Sequence, residues 1–171
     1  SKTRDILRHK VLLNPNDKFF WTHGTNTAKL VSKLKQNACT NGAELEEIAV
    51  GLAEKHSIDY PWSQEGWAIL RKTYALSILV DETKTIDFDD MILMPVLNNW
   101  ELPTYDYIFI DEAQDLNKSQ RELIKLLTSK QSRVIVAGDP HQSIYGFAGA
   151  DHRSMQNLQS EFDTVSYPLS T

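Results

Sequence analysis

The sequence predicts an α/β chain in two parts: a mostly helical stretch over residues 1–100, then a parallel sheet of the doubly wound kind over residues 101–171. Three observations carry this expectation. Apolar residues recur at helical spacing through the first hundred positions. Two short, unbroken apolar runs follow, Tyr107-Ile108-Phe109-Ile110 and Val134-Ile135-Val136, with an amphipathic segment between them. Each run leads directly into a polar cluster.

In the first part, Leu30, Val31 and Leu34 predict a helix over 27–37, and Leu45, Ile48, Ala49 and Leu52 a second over 44–56. Tyr60-Pro61 interrupts the pattern, because the residue before a proline is pushed out of the helical region. A longer helix is expected over 64–85, with Trp67, Leu70, Tyr74 and Ile78 as its apolar stripe. Asp87 is placed to cap a short helix through Met91 and Met94, which Pro95 should end or kink for want of an N–H. Asp87, Asp89 and Asp90 resemble a metal cluster, but beside a helix start they read more simply as cap and dipole partners. Phe19-Phe20-Trp21 reads as packing against the helices rather than as a base-stacking surface.

In the second part, both apolar runs predict strands buried on both faces. Asn117-Lys118-Ser119-Gln120 has capping-box spacing and opens a helix carrying Leu123, Ile124, Leu126 and Leu127. A further helix is expected over 153–160 and a third strand at Thr164-Val165-Ser166. Strands and helices alternating at these lengths imply parallel pairing, with ligands at the carboxyl ends of the strands.

Composition narrows the function classes. At 171 residues the chain is one ordinary domain or two parts of domains. The single cysteine, Cys39, excludes an internal disulfide framework and a Cys-rich zinc site. His141 and His152 lack partners at zinc spacing. No apolar run approaches the ~20 residues of a membrane span, and Ser1-Lys2-Thr3-Arg4 is unlike a signal peptide, so a soluble cytoplasmic protein is expected. The net charge of −5 hides a gradient: +6 over residues 1–37, −7 over 38–100 and −4 over 101–171. That excludes a uniformly basic nucleic-acid coat but leaves room for a local basic arm, which predicts weak, salt-sensitive binding of single strands.

The first polar cluster, Asp111-Glu112-Ala113-Gln114-Asp115, leaves an apolar strand with an acidic pair. Such a pair suits magnesium-nucleotide chemistry, with Asp111 holding Mg²⁺ through water and Glu112 orienting and deprotonating an attacking water. A helix entry with acidic residues favoured by the dipole is the alternative, and on these residues alone both readings stand. The second cluster runs from Gly138 to Ala150 and holds three of the seven glycines, which lets backbone approach a ligand. Gln142 offers a neutral amide to a terminal phosphate. Tyr145 and Phe147 are placed either to stack on unpaired bases or to plug the loop's own core.

The order of apolar strand, DEAQD, amphipathic helix, apolar strand and GDPHQSIYGFAGA resembles the superfamily 1 helicases of the UvrD/Rep/PcrA group, matching their motif II (Walker B) and motif III. Residues 85–92, TIDFDDMI, resemble the family's segment before motif II, and residues 165–171 the approach to its motif IV. The resemblance implies a partial RecA-like parallel sheet of the P-loop NTPase type in 101–171, the distal half of the first RecA-like domain. It implies a mostly helical insertion subdomain (1B-like) in 1–100. The function implied is that of a fragment of an ATP-dependent DNA helicase, moving 3′ to 5′ on single-stranded DNA with ATP and Mg²⁺ as cofactors. Carried over by position, Asp111 handles Mg²⁺, Glu112 is the catalytic base, Gln142 contacts the γ-phosphate, and Gln114 and Asp115 complete the nucleotide motif. Tyr145 or Phe147 stacks on bases, Phe147 standing where the family usually has tryptophan. Ala148 departs from the pattern, standing where many members have an arginine that links the nucleotide and DNA sites.

None of the seven glycines is followed by lysine, so this chain carries no GxxxxGK[ST] phosphate loop. The P-loop segment and the second RecA-like domain of the parent are therefore the expected partners, and the chain alone is expected to be catalytically inactive. The competing reading is a non-catalytic nucleic-acid-binding or partner-docking module on a degenerate helicase fold.

Overall fold

A computed structural model describes residues 1–12, 14, 16–39, 42, 44–79, 85–139, 142 and 153–167. The chain divides into two compact units, Ser1–Leu97 and Asn98–Thr171.

The first unit is helical. Helix α1 (Lys2–Ile6) runs into a π-helical turn over Leu7–Val11. Helix α2 spans Lys18–Gln36 and starts nine residues before the predicted position, because the Asp17 side chain accepts the Phe19 N–H at 2.7 Å and so caps the helix there. Helix α3 is Leu45–Lys55 and α4 is Gln64–Ser77. Ser63 caps α4 by accepting the Gly66 N–H at 3.1 Å. Position 66 must be glycine, since a Cβ there would lie 1.9 Å from the Pro61 carbonyl oxygen.

Helix α4 is shorter than expected: Leu79 and residues 85–87 lie outside any helix, and 80–84 are outside the described residues. Helix α5 spans Phe88–Leu97 and contains Pro95 without ending before it. Only one ladder bond is lost, to the carbonyl of the exposed Met91, and the helix stops two residues later in any case.

Leu30, Val31 and Leu34 of α2 pack against Leu45, Ala49 and Leu52 of α3 and Leu70 and Tyr74 of α4 to form the main core. A smaller cluster joins Leu7, Phe20 and Ile69. Phe20 is thus a core residue, as the packing reading of Phe19-Phe20-Trp21 requires, while Trp21 stays 66% exposed.

The acidic trio at the start of α5 is used internally. Asp87 Oδ1 accepts the Asp90 N–H at 2.9 Å and Asp90 Oδ2 accepts the Asp87 N–H at 3.0 Å, a reciprocal cap. Asp90, fully buried, also pairs with Lys2 at 2.6 Å and Lys35 at 2.7 Å, and Lys35 reaches Asp87 at 2.9 Å. Asp89 accepts from Ser32 at 2.5 Å and Gln36 at 3.1 Å. Among the described residues no group of three or more side chains is arranged to hold a metal ion.

The second unit is mixed. Strands β1 (Tyr107–Ile110) and β2 (Arg133–Val136) pair in parallel, Tyr107 opposite Arg133 and Ile110 opposite Val136. Helix α6 (Lys118–Leu126) links them and opens with the expected capping box, both hydrogen bonds between Asn117 and Gln120 being present. Helix α7 is Ser154–Phe162.

Ile110, Ala113 and Leu158 form the core of this unit, joined by Ile108, Ile124, Val134, Val136 and Met155. Among the described residues only one face of the sheet is covered: Tyr107, Phe109 and Ile135, which alternate with the core residues, are 58%, 75% and 42% exposed. The expectation of strands buried on both faces therefore fails here. The third strand also does not form. Residues 164–167 carry no strand pairing, and the sheet among the described residues has two strands.

Candidate functional site

Parallel pairing in register brings the ends of β1 and β2 to the same edge of the sheet, so the two polar clusters meet. The Ala137 N–H donates to the Ile110 carbonyl at 2.7 Å, and the Ala113 N–H returns to the Ala137 carbonyl at 3.0 Å. These bonds extend the ladder just past the strands and fix the acidic segment against the start of the glycine-rich loop.

Asp111 and Glu112 are both solvent-exposed at this edge. Asp111 Oδ1 accepts the Glu112 N–H at 3.0 Å. Glu112 has φ of 50° and ψ of 41°, in the left-handed region that costs an L-residue roughly 1–2 kcal/mol. Four other described non-glycine residues have positive φ, and Ala38, Ser57, Asn99 and Asp163 all lie just beyond a helix end, where such a turn is ordinary. Glu112 stands apart, between a strand and the short 3₁₀ turn Ala113–Asp115. Backbone strain at a strand end carrying polar side chains is characteristic of functional positions.

Gln114 is 3% exposed and its amide is engaged on both sides. Nε2 donates to Glu112 Oε2 at 2.6 Å, and Oε1 accepts the Asp139 N–H at 3.0 Å. Chemistry fixes the amide's orientation, because a backbone N–H needs an acceptor and an ionised carboxylate needs a donor. Asp139 in turn holds Gln142, accepting its side-chain amide at 2.9 Å and its backbone N–H at 3.0 Å. Asp115 Oδ1 is buried without a hydrogen-bond partner among the described residues. Gly138 permits the close approach: a Cβ there would lie 2.6 Å from Gln114 Oε1 and 3.1 Å from the Ala113 nitrogen. From the other side, the buried Ser154 hydroxyl at the start of α7 donates to the Ala113 carbonyl at 2.7 Å.

The structure thus brings Asp111, Glu112, Gln114, Asp115 and Gln142 to one end of one sheet. Tyr145, Phe147 and Ala148 lie outside the described residues, as do His141 and His152. Sequence reasoning overlooked Ser154. A serine opening a helix just after a glycine-rich loop is the signal that points to it.

The basic balance of residues 1–37 is partly consumed within the first unit. Lys2 and Lys35 are buried against Asp90, and Arg4 and Arg8 lie over the Phe20 ring at 5.2 and 5.7 Å. These cations belong to packed helices rather than to an extended arm. Lys33, Lys55 and His56 lie close enough to affect one another. Burial, then the charges of Lys33 and Lys55, holds the His56 imidazole below its usual range.

A helical unit followed by an α/β unit with acidic and amide side chains at its strand ends agrees in outline with the class of protein that the motifs resemble. The family model of the UvrD/REP helicase N-terminal domain matches residues 4–163, and the chain belongs to that family. It is similar to the ATP-dependent DNA helicase PcrA of Staphylococcus aureus, with 35% identity over 91 residues, covering 48% of this chain and 12% of that protein. It is also similar to the ATP-dependent DNA helicases Rep of Buchnera aphidicola, 41% identical over 88 residues, and of Salmonella typhimurium, 40% identical over 89. Those matches cover 47% of this chain in each case, and 14% and 13% of the two Rep proteins. The chain thus spans only a small part of the length of the curated relatives it matches. No helix among the described residues is long and apolar enough to cross a membrane.

Proposed function

We propose that this chain is part of an ATP-driven DNA helicase of superfamily 1, moving 3′ to 5′ on single-stranded DNA. Residues 1–100 are its helical insertion, and residues 101–171 are the distal half of its first RecA-like domain. The observation that carries this reading is the exposed pair Asp111 and Glu112, held at the same sheet edge as Asp139 and Gln142 with Glu112 in a strained backbone. The bare face of Tyr107, Phe109 and Ile135 supports an incomplete doubly wound sheet, since parallel sheets are ordinarily covered on both sides.

In this reading Asp111 is the residue that would hold Mg²⁺. An exposed carboxylate suits an ion that keeps waters and takes phosphate oxygens. The bound Mg-ATP supplies the phosphoryl group and the neutralisation of its charge. Glu112 orients a water and accepts its proton at a carboxylate oxygen. Gln142 reaches the terminal phosphate, while Tyr145 and Phe147 stack on bases.

The test uses the full-length polypeptide that carries this chain. Glu112→Gln is expected to lower DNA-stimulated ATP hydrolysis by about 10²-fold or more, and hydrolysis at the wild-type rate would overturn the assignment. The isolated chain is expected to release phosphate only at background. Hydrolysis that survives purification of that chain and is lost in Glu112→Gln would refute the need for a separate phosphate loop.

A further inference from the structure

We propose that Gln114 is a positioning residue that couples the two strand-end loops, rather than a ligand of the nucleotide itself. The proposal rests on the reading of Glu112 as the base for its meaning, but not for its geometry. A side chain 3% exposed, with its oxygen and its nitrogen both bonded within the protein, has little left to offer a ligand. It does complete a continuous path. Glu112 Oε2 accepts from Gln114 at 2.6 Å, Gln114 Oε1 accepts the Asp139 N–H at 3.0 Å, and Asp139 accepts the Gln142 amide at 2.9 Å. The path starts at one exposed strand end and finishes at the exposed Gln142 of the other loop, and its one fully enclosed link is Gln114.

Glutamine suits this link for a specific reason. The site needs a donor toward a carboxylate and an acceptor toward a backbone N–H, on one rigid planar group. Glutamate would accept from Asp139 but repel Glu112, and methionine would fill the space with neither bond. The surroundings leave the amide little freedom, since Gly138 is open only by the absence of a Cβ and Ser154 pins the Ala113 carbonyl beside it. A shift of the Glu112 carboxylate therefore moves Gln114, and with it the Asp139 turn that carries Gln142.

The experiment is amide hydrogen exchange and backbone NMR on this 171-residue chain, without nucleotide. Gln114→Met is expected to speed exchange at the Asp139 amide by roughly tenfold, the loss of one half-buried hydrogen bond. In the wild-type background Glu112→Ala should shift the Asp139 resonance, and in the Gln114→Met background it should not. A purely space-filling Gln114 would leave that response intact. Should Gln114→Met fail to fold, Gln114→Leu, which also lacks both bonds, takes its place with the same two expected outcomes. Unchanged Asp139 exchange in Gln114→Met overturns the proposal. So does an equal response to Glu112→Ala with and without the amide. Because no hydrolysis is measured, failure of the helicase reading shows only in the full-length assay and leaves this result readable.

Discussion

Lys2 and Asp90 stand 88 positions apart in the chain, yet the Lys2 ammonium lies 2.6 Å from the Asp90 carboxylate and both side chains are buried. Lys35 approaches the other oxygen of the same carboxylate at 2.7 Å, so one buried anion holds α1, α2 and α5 together. Asp90→Ala takes the carboxylate from the buried Lys2 ammonium and leaves Lys35 with Asp87 in place of two anions. The expected cost is ~3–5 kcal/mol. Urea unfolding followed by tryptophan fluorescence, with three of the four tryptophans in the first unit, measures it. A loss below about 1 kcal/mol would mean that the pair breaks even with its own desolvation.

The same carboxylate sets an acid limit. Burial pushes Asp90 up, but the Asp87 N–H, Lys2 and Lys35 outweigh it and hold the group below its ordinary value of 3.8. A depressed folded value means stability that is fully present above 3.8 and lost as pH falls through the folded value. Urea midpoints taken from about pH 5 down to about pH 2.5 should fall steeply in the wild type. Asp90→Asn should be less stable at the upper end and flatter across the range. Parallel curves would exclude Asp90 as the source.

Backbone strain at Glu112 predicts a trade between stability and function. Ser57→Gly and Ala38→Gly relieve left-handed backbone at helix ends, and each is expected to gain about 0.5–1 kcal/mol after glycine's entropic penalty. Glu112→Gly relieves the same strain but loses the bond from Gln114. It should unfold near the wild-type midpoint while abolishing hydrolysis in the full-length protein. A large drop in melting temperature would show that Glu112 is structural.

Two glycines should respond in opposite directions to alanine. Gly138→Ala places a Cβ 2.6 Å from Gln114 Oε1 and 3.0 Å from Met155 Sδ, with an expected cost of ~1–3 kcal/mol from overpacking. Gly51, in the exposed middle of α3, has nothing within 4 Å of a new Cβ. Gly51→Ala should therefore gain about 0.5–1 kcal/mol from helix propensity. Thermal melts of the two variants side by side decide both.

Removing apolar area from the bare sheet face should improve behaviour in solution. Phe109→Thr, alone or with Tyr107→Thr, keeps strand propensity while deleting exposed aromatic surface. Light scattering should report less self-association at unchanged secondary structure. If association is unaffected, the sticky surface lies elsewhere.

Most elements were legible in the sequence because their signals are local. The capping box at Asn117 and Gln120, the cap at Asp87 and both apolar strands need only a few neighbouring residues to specify them. The misses are tertiary. Nothing local says that Tyr107 and Phe109 are exposed, or that residues 164–166 pair with no strand among the described residues. The early start of α2 turned on the Asp17 cap, a signal that was present but obscured by the aromatics after it. At the strand ends, the residue types of Asp111, Glu112 and Gln142 were readable, since charge and position suffice. The work of Gln114 was not, because an amide's two partners are chosen by folding: one lies two residues away and the other twenty-five.

The contact between Lys2 and Asp90 also ties the first residues of the chain to the start of α5, across nearly the whole sequence span of the first unit. Trimming the opening helix would strip a cation from the buried carboxylate that seats the last one, so loosening either end of this unit loosens the other.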